Sequence, residues 1–109
     1  EVLGKVALVL KNQPDIEFMV EGHTDNVPFK GNGVLLDNWD LSVMRATSIA
    51  RVLQKNYGVD PSRIIAGGRS EFNPKVSNDT KANKSANRRT EIIIMPKLDE
   101  FFKLLEIKQ

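Results

Sequence analysis

The chain contains no cysteine, so neither a disulfide framework nor a thiolate metal site can form. It has a single histidine, too few for the usual zinc shells, and no metal or cofactor is expected. No apolar run approaches the roughly 18 residues of a membrane-spanning helix, and no secretory leader is visible. Charge of one sign is lacking as well: 16 Lys and Arg against 14 Asp and Glu leave a formal net charge of +2. That balance supplies no field for a polyanion, so nucleic acid is not an expected partner. Any targeting or membrane-anchoring segment is expected outside this stretch, which starts at Glu1 without an initiator Met and reads as an excised domain. What is there, 109 residues with 40% hydrophobic content, suits one domain over 1–109 with a single core.

Val2, Val6, Val9 and Leu10 recur at helical spacing until Asn12 and Pro14 close the pattern. Ile16 to Glu21 alternates apolar and charged side chains, which predicts a strand with one buried face, ended by Gly22. Asp37 or Asn38 can cap a helix, Asp40 complements its positive end, and Gly58 followed by Pro61 stops it after Tyr57. Arg63 to Gly68 predicts a short buried strand, Ser70 to Thr80 a surface loop, and Lys81 to Arg88 one or two helical turns. Thr90 to Met95 is nearly all apolar, which predicts a final, central strand ended by Pro96. Leu98, Phe101, Phe102 and Leu105 predict a C-terminal helix over about 97–107 that docks or finds a partner. Helices alternating with strands imply an α+β fold, a two-layer α/β sandwich.

The residues with chemistry cluster. Val20 to Asn26 holds Glu21, His23, Thr24 and Asp25 at the end of the first strand. On the long helix, Asn38, Leu41, Ser42, Arg45, Ala46, Ile49 and Leu53 share one face, which should meet the sheet. Arg45 is the odd member, because a guanidinium turned toward a core needs an anionic partner. Asp25 is the nearest candidate, and the two charges together could hold a zwitterion.

Thr24-Asp25, then Asn38-x-x-Leu41-Ser42-x-x-Arg45-Ala46, then Asn87-Arg88-Arg89 before the last strand resemble the signature of the OmpA-like, or OmpA/MotB C-terminal, domain family. The resemblance runs from about Ile16 to Ile94 and is specific, because three separated blocks occur in order at compatible spacing. It implies a βαβαββ fold whose first strand would precede the opening helix and is missing from this chain. It implies a non-catalytic module of the periplasm and cell envelope that binds peptidoglycan through the diaminopimelate of the stem peptide. Asp25 and Arg45 would grip that group, with Thr24, Asn38, Asn87 and Arg88 in support. The loop from Asn26 to Asp37 and the form Asn38-Trp39-x-Leu41-Ser42 lean toward the MotB-like branch. Ser70 stands where the family often has a glycine, which should alter the turn toward Asn73-Pro74.

Alternatives stay open. His23 beside Asp25 could serve a wall hydrolase as general base or metal ligand, or could simply be a strand-end hydrogen-bonding residue. Arg88 and Arg89 could bind phosphate, yet adjacent residues entering a strand point to opposite faces, one lining the pocket and one meeting solvent. Trp39 could stack on ligand or serve as a core or staple residue. The missing first strand leaves a sheet edge that a second copy could pair with, as a homodimer or a purely structural interaction module, or that the C-terminal helix could cover.

Overall fold

The computed structural model describes residues 2–95. The order within them is α1 (Val2–Lys11), β1 (Phe18–Gly22), α2 (Asn38–Tyr57), a 3-10 turn (Pro61–Arg63), β2 (Ile64–Gly68), α3 (Lys81–Asn87) and β3 (Thr90–Ile94). The expected C-terminal helix lies outside the described residues. The sheet runs β2-β1-β3, with β1 parallel to β2 and antiparallel to β3.

Two expectations about the sheet are corrected by that order. Among the described residues β1 is central and β3 is an edge, with Ile94 49% exposed, whereas Phe18 and Val20 on β1 are fully buried. Apolar composition reports how much a strand can bury, not how many strands pair with it. The strand read as buried, β2, is likewise an edge and leaves Ile65 exposed. In α1 the helix is as expected but its buried side differs. Ala7 and Leu10 enter the core, Leu3 and Val6 pack against it, and Val2 and Val9 face outward.

The longest helix carries its signals at both ends. Asp37 caps α2 by accepting the Asp40 N–H at 3.1 Å, while the Asp40 carboxylate accepts from Leu36 N–H at 2.9 Å. Gly58 takes the left-handed conformation, φ 68°, and its N–H returns to the Leu53 carbonyl. On the inner face Ala46 and Leu53 meet Phe18 and Val20 in one core. The helix comes very close to the sheet at a pair of glycines that are cross-strand partners, Gly22 and Gly68. A Cβ on Gly22 would stand 1.9 Å from the Ser42 carbonyl oxygen, and one on Gly68 would stand 2.2 Å from Ser42 Oγ. These two bare positions set the height of α2 above the strand ends, and thereby the depth at which Arg45 sits.

Arg63 fastens the opposite end of the molecule. Its Nε donates to the Ile16 carbonyl and its Nη2 to that of Leu10, both at 2.8 Å, with a further bond to the Gln13 carbonyl. The guanidinium also lies 5.9 Å from the centroid of the Phe18 ring. One planar fork therefore closes the C-terminal end of α1 and the start of β1. We expect Arg63→Ala to lower unfolding stability by about 2–3 kcal/mol, because charge-assisted bonds to carbonyls are lost. Arg63→Lys should recover only part of it, since an ammonium lacks the fork. A urea midpoint unchanged in the alanine variant would contradict this role.

Candidate functional site

The site begins where β1 ends. After Gly22 the backbone stays tied in, with His23 N–H bonded to the Arg89 carbonyl at 2.8 Å and Thr24 N–H to that of Ser70 at 2.9 Å. His23, Thr24 and Asp25 are consequently buried although they leave the strand. Arg45 reaches this segment from the inner face of α2, and its Nη1 donates to the His23 carbonyl at 2.8 Å.

Asp25 is not the direct partner of Arg45. Its Oδ2 accepts from Arg88 Nη1 at 2.6 Å, and its Oδ1 accepts from the Val27 N–H at 3.0 Å. Arg88 follows α3 and reaches back across the end of the sheet, a pairing that helix periodicity in α2 could not signal. The result is one carboxylate with two guanidinium groups near it. Burial first, and then the charge of Arg88, hold the Arg45 guanidinium below its ordinary value, with Asp25 acting in the opposite direction. Arg45 remains a cation, because guanidinium does not deprotonate in proteins. Counting these three side chains, the spot carries one excess positive charge and is suited to a carboxylate with a neighbouring cation.

The other candidate residues stand one step behind. Thr24 Oγ1 donates to the Asp25 carbonyl at 2.8 Å. The Asn38 carboxamide accepts from Phe29 N–H at 3.2 Å and donates to the Val27 carbonyl at 3.1 Å, holding the loop after Asp25. Asn87 is fully buried. It accepts from the N–H groups of Lys75 and Val76 at 2.9 and 3.1 Å, and donates to the Val76 carbonyl and Asn78 Oδ1 at 2.8 and 2.9 Å. All four hydrogen-bonding positions of that amide are filled by protein. Asn87 thus fixes where Arg88 leaves α3 and keeps nothing for a ligand.

Arg88 and Arg89 do diverge, but the second is mostly covered rather than turned out to solvent. The Arg89 side chain is 15% exposed, pairs with Glu91 and donates to the Asn73 carbonyl at 3.1 Å. Its hydrogen bond holds the Glu91 carboxyl below the usual range, against a smaller opposing effect of burial. His23 forms no dyad with Asp25. It is 1% exposed, and its Nε2 lies 2.8 Å from Glu21 Oε1, whose other oxygen accepts from Arg69 Nε at 3.0 Å. Alternation in the strand predicts an exposed Glu21, whereas it is 3% exposed. Its partners His23 and Arg69 lie beyond the ends of β1 and β2, where strand alternation gives no signal. Ser70 adopts φ 55°, the conformation glycine favours, and its N–H donates to Ser42 Oγ at 3.0 Å. Among the described residues no group of three or more His, Cys, Asp or Glu is placed to hold a metal ion, and no helix is long and apolar enough to cross a membrane.

Residues 1–88 match the OmpA family, a span that starts before the 16–94 resemblance and stops short of its end. Motility protein B of Bacillus subtilis is 38% identical over 93 residues, 85% of this chain and 35% of that protein. Peptidoglycan-binding protein ArfA of Mycobacterium tuberculosis is 35% identical over 94 residues, 86% of this chain and 27% of that protein. The chain spans about a third or less of the length of these curated relatives. The solved periplasmic domain of Helicobacter pylori MotB superposes with a TM-score of 0.83 at 25% identity, covering 95% of this chain and 64% of that one. By its sequence blocks, its mixed sheet and these likenesses, the chain belongs to the OmpA family, on its MotB-like side.

Proposed function

We propose that this domain binds peptidoglycan without cleaving it, grips the free end of diaminopimelate in the stem peptide, and so anchors a membrane-attached envelope protein to the cell wall. The observation that carries the reading is the meeting of Asp25, Arg45 and Arg88, from three different elements, at one partly open spot. The end of a diaminopimelate side chain bears an ammonium and a carboxylate on the same carbon. The Asp25 carboxylate keeps acceptor capacity beyond Arg88 and Val27 and takes the ammonium. The carboxylate enters beside Arg45, whose fork offers further N–H donors, and Arg88 adds a second positive charge. An anion there relieves the repulsion between the two guanidinium groups, which strengthens its binding. Thr24, Asn38 and Asn87 position this set rather than touch ligand.

The likeness to a peptidoglycan-binding protein and to a periplasmic domain supports both the ligand and the compartment. Against a hydrolase stands the burial of His23, whose ring is engaged with Glu21 and out of reach of a substrate. Co-sedimentation with purified sacculi tests the proposal. The domain should pellet with the wall, less so as salt screens the partly exposed charges, and leave no soluble muropeptides behind. A domain that stays in the supernatant at low salt, or muropeptide release that disappears in His23→Ala, would contradict it.

A further inference from the structure

Trp39 and Phe72 stand exposed beside the site, at 50% and 68% of their surfaces. Their ring centroids are 5.6 Å apart and the planes are inclined by 39°. Large aromatics gain most from burial, so a pair left in water from two different elements, the first turn of α2 and the turn after β2, asks for an occupant. Together with Phe29, Asp37 and Glu71 they line an open cleft of about 200 Å³. That is smaller than the roughly 300–1,000 Å³ of pockets for drug-sized ligands and suits a single ring.

The cleft is linked to the charged site by hydrogen bonds, although Asp25, Arg45 and Arg88 do not line it. Asn38 lines it, and the same carboxamide holds Val27, whose N–H binds Asp25. Ser70 lines it too, and its carbonyl accepts from Thr24. Its chemistry is nevertheless different. Among the described residues no Lys or Arg lines it, and the charged groups are carboxylates, Asp37 and Glu71, so an anion is disfavoured. A neutral, hydroxyl-rich ring fits: its C–H face meets the negative faces of the aromatics, and its hydroxyl and amide N–H groups donate to the carboxylates.

We propose that the Trp39–Phe72 cleft is a glycan subsite that stacks one sugar ring of the strand whose stem peptide is held at Asp25 and Arg45. The inference rests on the stem-peptide reading for its context, but the two fail separately. A glycan contact is weak alone and adds to affinity once the peptide tethers it, because the second contact is then intramolecular.

Trp39 is the only tryptophan of the chain, so its emission reports on the cleft directly. Chitotetraose, a neutral and peptide-free glycan, should change that emission saturably. The diaminopimelate tetrapeptide joined to its disaccharide should bind about tenfold more tightly than the tetrapeptide alone. Phe72→Ala should remove this difference and leave tetrapeptide affinity as it is, while Asp25→Asn should lose the tetrapeptide and keep the response to chitotetraose. No emission change with chitotetraose, or equal affinity for the two peptide ligands, overturns the subsite and leaves the stem-peptide reading standing. A response to chitotetraose with no tetrapeptide binding does the reverse. An emission change that follows protein concentration without any sugar would assign the cleft to a second copy and overturn the proposal.

Discussion

Replacing Arg45 with alanine is expected to weaken binding of a diaminopimelate tetrapeptide by about ten- to a hundredfold, because a charge-assisted hydrogen bond contributes roughly 1.5–3 kcal/mol. Among the described residues the Arg45 side chain makes one hydrogen bond, to the His23 carbonyl, so its loss should cost affinity more than stability. Asp25→Asn is expected to be at least as damaging for a different reason. It removes the charged oxygen proposed to take the ligand ammonium, and it leaves Arg88 and Arg45 without the carboxylate that now offsets their charges. Asparagine keeps an oxygen for the Val27 N–H, so the loop should stay in place. Fluorescence or calorimetric affinities, with urea midpoints as the folding control, check both. Two variants that fold normally and bind like the parent would remove these residues from the site.

The largest stability effect is expected at Gly22. An alanine there would place a Cβ 1.9 Å from a backbone carbonyl oxygen of α2, and backbone cannot rotate away as a side chain can. Relief requires α2 to lift off the sheet where Ala46 on the helix shares the core with Val20 on β1, both fully buried, so the loss should reach about 3 kcal/mol or more. Gly33 makes the comparison. At φ 86° an alanine is strained there, but no atom of the described residues lies within 4 Å of the added carbon, and about 1–2 kcal/mol is expected. Urea midpoints for the two variants should differ clearly. A Gly22→Ala protein as stable as the parent would mean that α2 is not seated on the glycine pair.

Much of this arrangement is legible in the sequence, and the illegible parts share a cause. The start and stop of α2 can be read because Asp37, Asp40 and Gly58 each act on backbone groups within a few residues. Asp25 and Arg45 can be singled out because each sits at a marked place, one just beyond a strand and the other on an apolar helix face. Partnership is a different matter. That Arg88 takes Asp25, that Asn87 serves the 75–78 turn, and that Arg63 joins α1 to β1 depend on contacts between residues far apart in the chain. Strand order fails for the same reason, since the apolar run in β3 describes a surface and not its neighbours. Gly22 reads as punctuation, yet its main effect is the closeness of α2, a property of two elements at once.

Isothermal titration with two glycan-free tetrapeptides, identical except for diaminopimelate or lysine at the third position, tests the central claim most directly. Both carry the side-chain ammonium that Asp25 would accept, but only diaminopimelate carries the carboxylate meant for Arg45. The account predicts that the diaminopimelate peptide binds at least about tenfold more tightly, and that Arg45→Ala abolishes this preference by weakening the diaminopimelate peptide alone. Equal affinity of the parent for both peptides, or a preference that survives Arg45→Ala, would contradict it.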